Sequence, residues 1–172
     1  MGTMDMSGTR ELRILDAAGL ATAYAQAEYA VVLDGDALRL SVGRRADDLE
    51  AYWPAQRYGF ITAWNPRSVP QSDAANETAN AALVARLDAI GATRQPAHAF
   101  DKEGQWREAG WLVADVDPGL LDLLGREFGQ AGVLAWAFGE PVRLRMLIPG
   151  PAGADLAHVD WIEPEHPTGA IG

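Results

Sequence analysis

One segment combines residue types that could hold a ligand: Phe60-Ile61-Thr62-Ala63-Trp64-Asn65-Pro66-Arg67-Ser68. Its first half is β-branched and aromatic, as a buried strand is, and Pro66 stops that pattern. Arg67 and Ser68 then enter a loop ahead of a helix capped by Ser72 or Asp73. A helix N-terminus carries unpaired N–H groups and partial positive charge, which attract anions. An arginine beside it adds a bidentate donor for carboxylate or phosphate. The plainer alternatives are a surface Arg67 and an Asn65 that closes an Asx-turn before proline.

Three further positions bear on the same chemistry. At 100° per residue, Asn76, Asn80, Leu83, Leu87 and Ile90 fall within an arc of roughly 80°. The two amides therefore share the stripe of the buried leucines, where an unpaired amide costs about 1–3 kcal/mol. Either loop backbone around residues 64–72 satisfies them, or they line a polar pocket. Glu108, in Trp106-Arg107-Glu108-Ala109-Gly110-Trp111, alternates onto the face of Leu112 and Ala114. A buried carboxylate needs an arginine or several donors, and Arg67 is the expected partner. Gln130 is the last polar residue before an apolar strand. The candidate ligand-binding set is Asn65, Arg67, Ser68, Asn76, Asn80, Glu108 and Gln130, expected in one cleft beside the helix start near residue 73.

Much other chemistry is excluded. The chain has no cysteine, which removes thiolate nucleophiles, disulfides and cysteine metal sites. Lys102 is its one lysine, and no phosphate-loop, dinucleotide or nucleophile-elbow motif is present. His98, His158 and His166 lack metal-ligand spacing, so neither a metal nor a cofactor is expected. Asp47, Asp48 and Glu50 read as a solvent-facing cluster. With 14 basic and 24 acidic residues the net charge is −10, which disfavours nucleic acid and anionic membranes as partners. No apolar run approaches the ~20 residues of a spanning helix. Residues 17–27 have a faint signal-peptide texture, but Glu11 and Asp16 stand where a basic lead-in belongs. A cytoplasmic location is expected.

The elements that position these residues follow from periodicity. Residues 1–9 read as a disordered start, and a helix is predicted over 10–27 with Asp16 as an internal N-cap. Alternation predicts a hairpin, Glu28 to Leu33 and Ala37 to Val42, turned by Asp34-Gly35. A short helix over 46–53, a strand over 58–65 and a helix from Ser72 or Asp73 to Ile90 come next. Strands are expected at 93–100 and 106–116. A helix then starts at Asp117-Pro118, with Leu120, Leu124 and Phe128 as its buried stripe. Strands at 131–138 and 142–147 complete a domain spanning 10–148.

Residues 149–172 carry four prolines, four glycines and four acids, and read as an acidic tail whose deletion costs little. The alternative is that Val159 to Ile162 docks as a short strand. Of the 172 residues, 48% are apolar but 31 are alanine, so large core side chains are only adequate in number. Hairpin-length links between strands predict an α+β domain with helices on a mainly antiparallel sheet, a mixed sheet being left open.

GFITAWNPRS, the asparagines in the following helix, the D-x-x-G-x-W-x-E stretch from Asp101 to Glu108 and FGQ at 128–130 resemble the bacterial domain-of-unknown-function family numbered 3293. The likeness extends upstream to Tyr24, Tyr29 and the Leu38 to Gly43 strand, covering about residues 20–147. It implies a small, mostly stand-alone bacterial protein and carries over no activity. The family pattern has a serine two places after the glutamate, where this chain has Gly110. The leading expectation is a small soluble binding domain for a polar or anionic ligand near the NPRS loop. The alternatives are a hydrolase- or transferase-like enzyme using Glu108 and Arg67, and a protein–protein module anchored by tryptophan.

Overall fold

The computed structural model describes residues 16–101, 103 and 106–162. Asp34 and Gly35 both take positive φ (48° and 85°), and β1 (Glu28–Leu33) folds back on β2 (Asp36–Leu40) as the alternation requires. Ahead of them lies α1 (Ala17–Gln26), whose first turn is capped by the Asp16 carboxylate accepting from Gly19 N–H at 2.8 Å. The proposed start of that helix at 10–15, the segment 1–9 and His166 lie outside the described residues.

α2 (Asp47–Tyr52) stops ahead of Pro54. It does not present its acids to solvent as a group. Glu50 is 3% exposed and accepts from the Trp136 indole at 2.9 Å and from Gly139 N–H at 2.8 Å. β3 (Arg57–Ile61) ends four residues earlier than the apolar pattern suggests. The Thr62 hydroxyl donates to Ala109 O at 2.6 Å and accepts from Trp64 N–H at 3.0 Å, which turns the chain out of the ladder.

Next come α3 (Asp73–Ala89, capped by Ser72), β4 (Thr93–Phe100), β5 (Arg107–Ala114) and α4 (Pro118–Glu127). β6 (Gly132–Ala137), β7 (Arg143–Met146) and β8 (Val159–Trp161) complete the elements of the described residues. The buried stripe of α4 is Leu121 and Leu124, with Leu120 and Phe128 only half-buried. The rotation brings Asp122 inward, where both its oxygens meet the Arg145 guanidinium of β7 at 2.7 and 2.9 Å.

The eight strands form one sheet in the order β2-β1-β4-β5-β3-β6-β7-β8. Every pairing is antiparallel except β7 with β8, so the fold is α+β with a mixed, mostly antiparallel sheet. Tyr29, Phe60, Leu112, Leu134, Trp136 and Leu144 cover one face together with Ala21 of α1 and Leu49 of α2. On the other face Ile61, Val113 and Val133 pack with Leu83 and Leu87 of α3 and Leu121 and Leu124 of α4.

The composition of residues 149–172 misleads over its first half. Val159 is 8% exposed, Asp160 receives a bidentate Arg143 pair at 2.8 and 2.9 Å, and Ile162 N–H donates to Met146 O. The boundary at residue 148 therefore does not separate the last strand from the sheet. Among the described residues no helix is long and apolar enough to cross a membrane.

Candidate functional site

The loop after β3 holds three non-glycine residues in the left-handed region: Asn65 (φ 47°), Arg67 (φ 58°) and Ser68 (φ 60°). Each such residue costs on the order of 1 kcal/mol or more and persists only where its surroundings fix it. Here Arg67 N–H donates to Gly129 O at 2.7 Å and Ser68 N–H to Asn65 O at 2.8 Å. Gly129 sits so close beneath the loop that an added Cβ would lie 2.9 Å from Pro66 Cβ.

Asn65 is the hub of the loop. Its Oδ1 accepts from Gln71 N–H and from the Asn76 amide, both at 2.9 Å, and its own N–H donates to Asn76 Oδ1 at 2.9 Å. Its Nδ2 donates to Glu108 Oε2 at 2.9 Å, and the Trp106 indole donates to the same oxygen at 2.8 Å. Glu108 Oε1 accepts no hydrogen bond among the described residues. Burial pushes the Glu108 carboxyl above the usual carboxylate range, and the two hydrogen bonds offset part of that rise.

Pairing register sets Tyr29, Ala99 and Glu108 side by side across β1, β4 and β5. They share the face that also carries Phe60, Leu134 and Leu144, and α1 crosses it. Between α1, the 66–70 turn and this face lies a cleft of about 860 Å³. Its floor is apolar, and its polar rim includes Tyr24, Arg67, Ser68, Trp106, Glu108 and Gln130. Tyr24 OH and Ser68 Oγ are hydrogen-bonded, and Tyr29 OH donates to Tyr24 O at 2.9 Å. Burial raises the pKa of both phenols, so both stay protonated.

The structure thus sorts the seven candidates into three groups. Arg67, Ser68, Glu108 and Gln130 line the cleft. Asn65 and Asn76 brace it from behind, Asn76 being 2% exposed and bonded to loop backbone. Asn80 is elsewhere: it accepts from the Trp111 indole at 2.9 Å. Trp111 and Glu108 are three apart on one strand and point to opposite faces, so a residue bonded to Trp111 lies across the sheet from the cleft.

Two other expectations are corrected. No ion pair joins Arg67 to Glu108: the donors to the carboxylate are Asn65 and Trp106, both on Oε2, and the Arg67 side chain stays exposed to solvent. Nor does the cleft reach the start of α3, since its lining ends at Pro70 and the Ser72 hydroxyl takes Ala75 N–H at 3.1 Å.

The partners of Asn80 and Trp111 give a direct test. Asn80→Leu is expected to cost about 1–3 kcal/mol, because the indole N–H loses its acceptor. A denaturant melt showing an unchanged or raised midpoint would contradict that assignment.

Sequence reasoning also passed over Tyr24, Tyr29, Phe60 and Thr62 as site residues. Only the pairing of β1 with β4 places the tyrosines near Glu108. Gly110 lies against Phe60. A Cβ there would stand 2.8 Å from the Phe60 ring and 2.7 Å from Ile61 O, so a side chain at 110 requires the floor of the cleft to shift. Among the described residues no group of three His, Asp or Glu side chains is placed to hold a metal ion.

Fold and cleft together define a single-sheet α+β domain with one face opened beneath its first helix. Residues 61–133 match the family model described as Protein of unknown function (DUF3293), which is the resemblance carried by the NPRS loop, the D-x-x-G-x-W-x-E stretch and FGQ. The match takes in Asn65, Arg67, Glu108 and Gln130 but not Tyr24 or Tyr29 of the cleft. No curated protein and no solved structure matches the chain.

Proposed function

We propose that the chain is a small-molecule binding domain whose site is the cleft beneath α1. The observation that carries this reading is the cleft itself. Its volume of about 860 Å³ is that of ordinary small-ligand sites, with an apolar floor and convergent polar groups at one side. A ligand with an apolar body against Leu20, Val69 and Phe100 and a polar end near Glu108, Tyr24 and Ser68 fits that division. The described lining residues include one cation, Arg67, against three carboxylates, Asp101, Glu103 and Glu108, which favours a polar end over an anionic one.

The test uses Nile red, an uncharged fluorophore that brightens in apolar sites. Ala99, between Tyr29 and Glu108 on the cleft face, is replaced by tryptophan to fill the space. Ala23, which lines the cleft from the exposed side of α1, is replaced in a second variant. Both variants are expected to weaken binding about tenfold or more while the circular dichroism spectrum is retained. Unchanged binding in both variants would overturn the reading.

A second reading, an enzyme in which Glu108 exchanges a proton, is favoured by its buried carboxyl, whose pKa burial raises. The same property has a sign in stability. A carboxyl whose pKa is raised in the fold stabilises it fully below the unfolded value, and that contribution is lost as pH rises through the folded value. Glu108→Gln keeps an acceptor for Asn65 and Trp106 but cannot ionise. It is therefore expected to lose stability less than the parent does as pH rises above about 4. Denaturant melts across that window check this, and parallel curves would show that Glu108 is not perturbed.

A further inference from the structure

We infer that the polar end of the ligand is a cation, a protonated amine on an apolar body, recognised at the Glu108 Oε1 edge of the cleft. This rests on the reading of the cleft as a small-molecule site and names its ligand class.

Most of the donors that an anion would need are already committed. Arg67, Ser68 and Val69 N–H groups donate to the carbonyls of Gly129, Asn65 and Pro66. Thr62 Oγ1 donates to Ala109 O, Tyr29 OH to Tyr24 O, and Gln130 Nε2 to Trp64 O and Phe128 O. The left-handed loop therefore closes its own amides and leaves no backbone cradle for an oxyanion. One hydroxyl of the Tyr24–Ser68 pair and Arg67 remain as donors, but the hydroxyl is neutral, and Arg67 is exposed with its charge screened by solvent.

Acceptance is arranged in the opposite way. Both donors to Glu108 converge on Oε2, and Oε1 is left with none among the described residues. A partly buried carboxylate with one saturated and one open oxygen is completed by a charged donor, the strongest class of hydrogen bond available to it. Asp101 and Glu103 add two more carboxylates to the lining. Aromatic side chains complete the case, because Tyr24, Tyr29, Phe60, Phe100 and Trp106 line the same space. Their ring faces carry partial negative charge and attract ammonium groups. The net charge of −10 speeds encounter with cations and slows it with anions.

The experiment compares three probes with one apolar body: phenethylammonium, phenethyl alcohol and phenylacetate. Each is titrated into the full chain by calorimetry and by the displacement of Nile red. Phenethylammonium is expected to bind about tenfold or more tightly than either of the others, as a charged hydrogen bond does over a neutral one. Glu108→Gln is expected to remove that preference. Equal or tighter binding of phenylacetate, binding of no probe, or a preference untouched by Glu108→Gln would each overturn the inference. The comparison on the unsubstituted chain decides the matter even where the variant folds poorly. Loss of Nile red binding in the cleft-filling variants keeps the cleft as the site in any of these cases, and its absence overturns both readings together.

Discussion

Asn65→Ala is expected to lower the stability of the chain by about 3 kcal/mol or more and to weaken binding in the cleft. Asn65 is 8% exposed, so the groups it serves cannot all turn to water. Its removal leaves Gln71 N–H and the Asn76 amide without their acceptor, at about 1–3 kcal/mol for each group that stays buried. Glu108 loses one of two donors and is then held by Trp106 alone. Alanine also tolerates the left-handed φ of 47° less well than asparagine, whose short amide bonds locally.

Two companion variants divide these causes. Asn65→Gly accepts the backbone geometry but lacks the side chain, so it is expected to recover only the conformational part, about 1 kcal/mol. Asn65→Asp keeps the acceptor oxygens and sets a second carboxylate against Glu108, raising its pKa further. Denaturant melts give the first difference, and a titration of the Glu108 carboxyl by NMR gives the second. An Asn65→Ala chain as stable as the parent would remove Asn65 from the centre of the site.

What the sequence disclosed follows the range over which each signal acts. Asp34-Gly35, Asp117-Pro118 and the Ser72 cap are local, and each fixed an element end that the structure retains. The face of Glu108 was also legible, because alternation with Leu112 is a property of one strand. Asn80 was not, since a helical stripe tells which residues are covered but not which side of the sheet covers them. Asn65 and Asn76 do meet, because the loop that leaves the end of β3 leads directly into α3.

Other features lie beyond local patterns. α2 is six residues long, too short for a period to reveal that Glu50 turns inward to the Trp136 indole. An Arg67–Glu108 pair is the natural expectation from charge alone. It gives way to the donors Asn65 and Trp106, which the loop's strained backbone and the strand place against the carboxylate. The cleft depends on β1 pairing with β4 across more than sixty intervening residues, a contact that no window of sequence contains.

Deleting residues 149–172 is expected to destabilise the chain by about 4–6 kcal/mol, against the small cost that composition suggests. The deletion exposes the outer edge of β7 and removes the buried Val159, worth about 1.5–3 kcal/mol on its own. Leu144 N–H loses the His158 carbonyl, and Met146 O loses Ile162 N–H, at about 0.5–1.5 kcal/mol each. Asp160 leaves the bidentate Arg143 pair, whose side chains are 42% and 37% exposed, so screening keeps that loss small. Arg126 Nη2 also loses Ile162 O, beneath the half-buried end of α4. In a domain of this size each kcal/mol moves the melting temperature by roughly 2–4 °C, so a fall on the order of 10–20 °C should be seen by calorimetry. The effect also reaches the cleft, because Leu144 of β7 is part of its floor and the shortened chain would hold that strand by β6 alone. Nile red binding is therefore expected to weaken along with stability. A shortened chain that melts within a few degrees of the parent would show that β8 adds a strand without supporting the sheet.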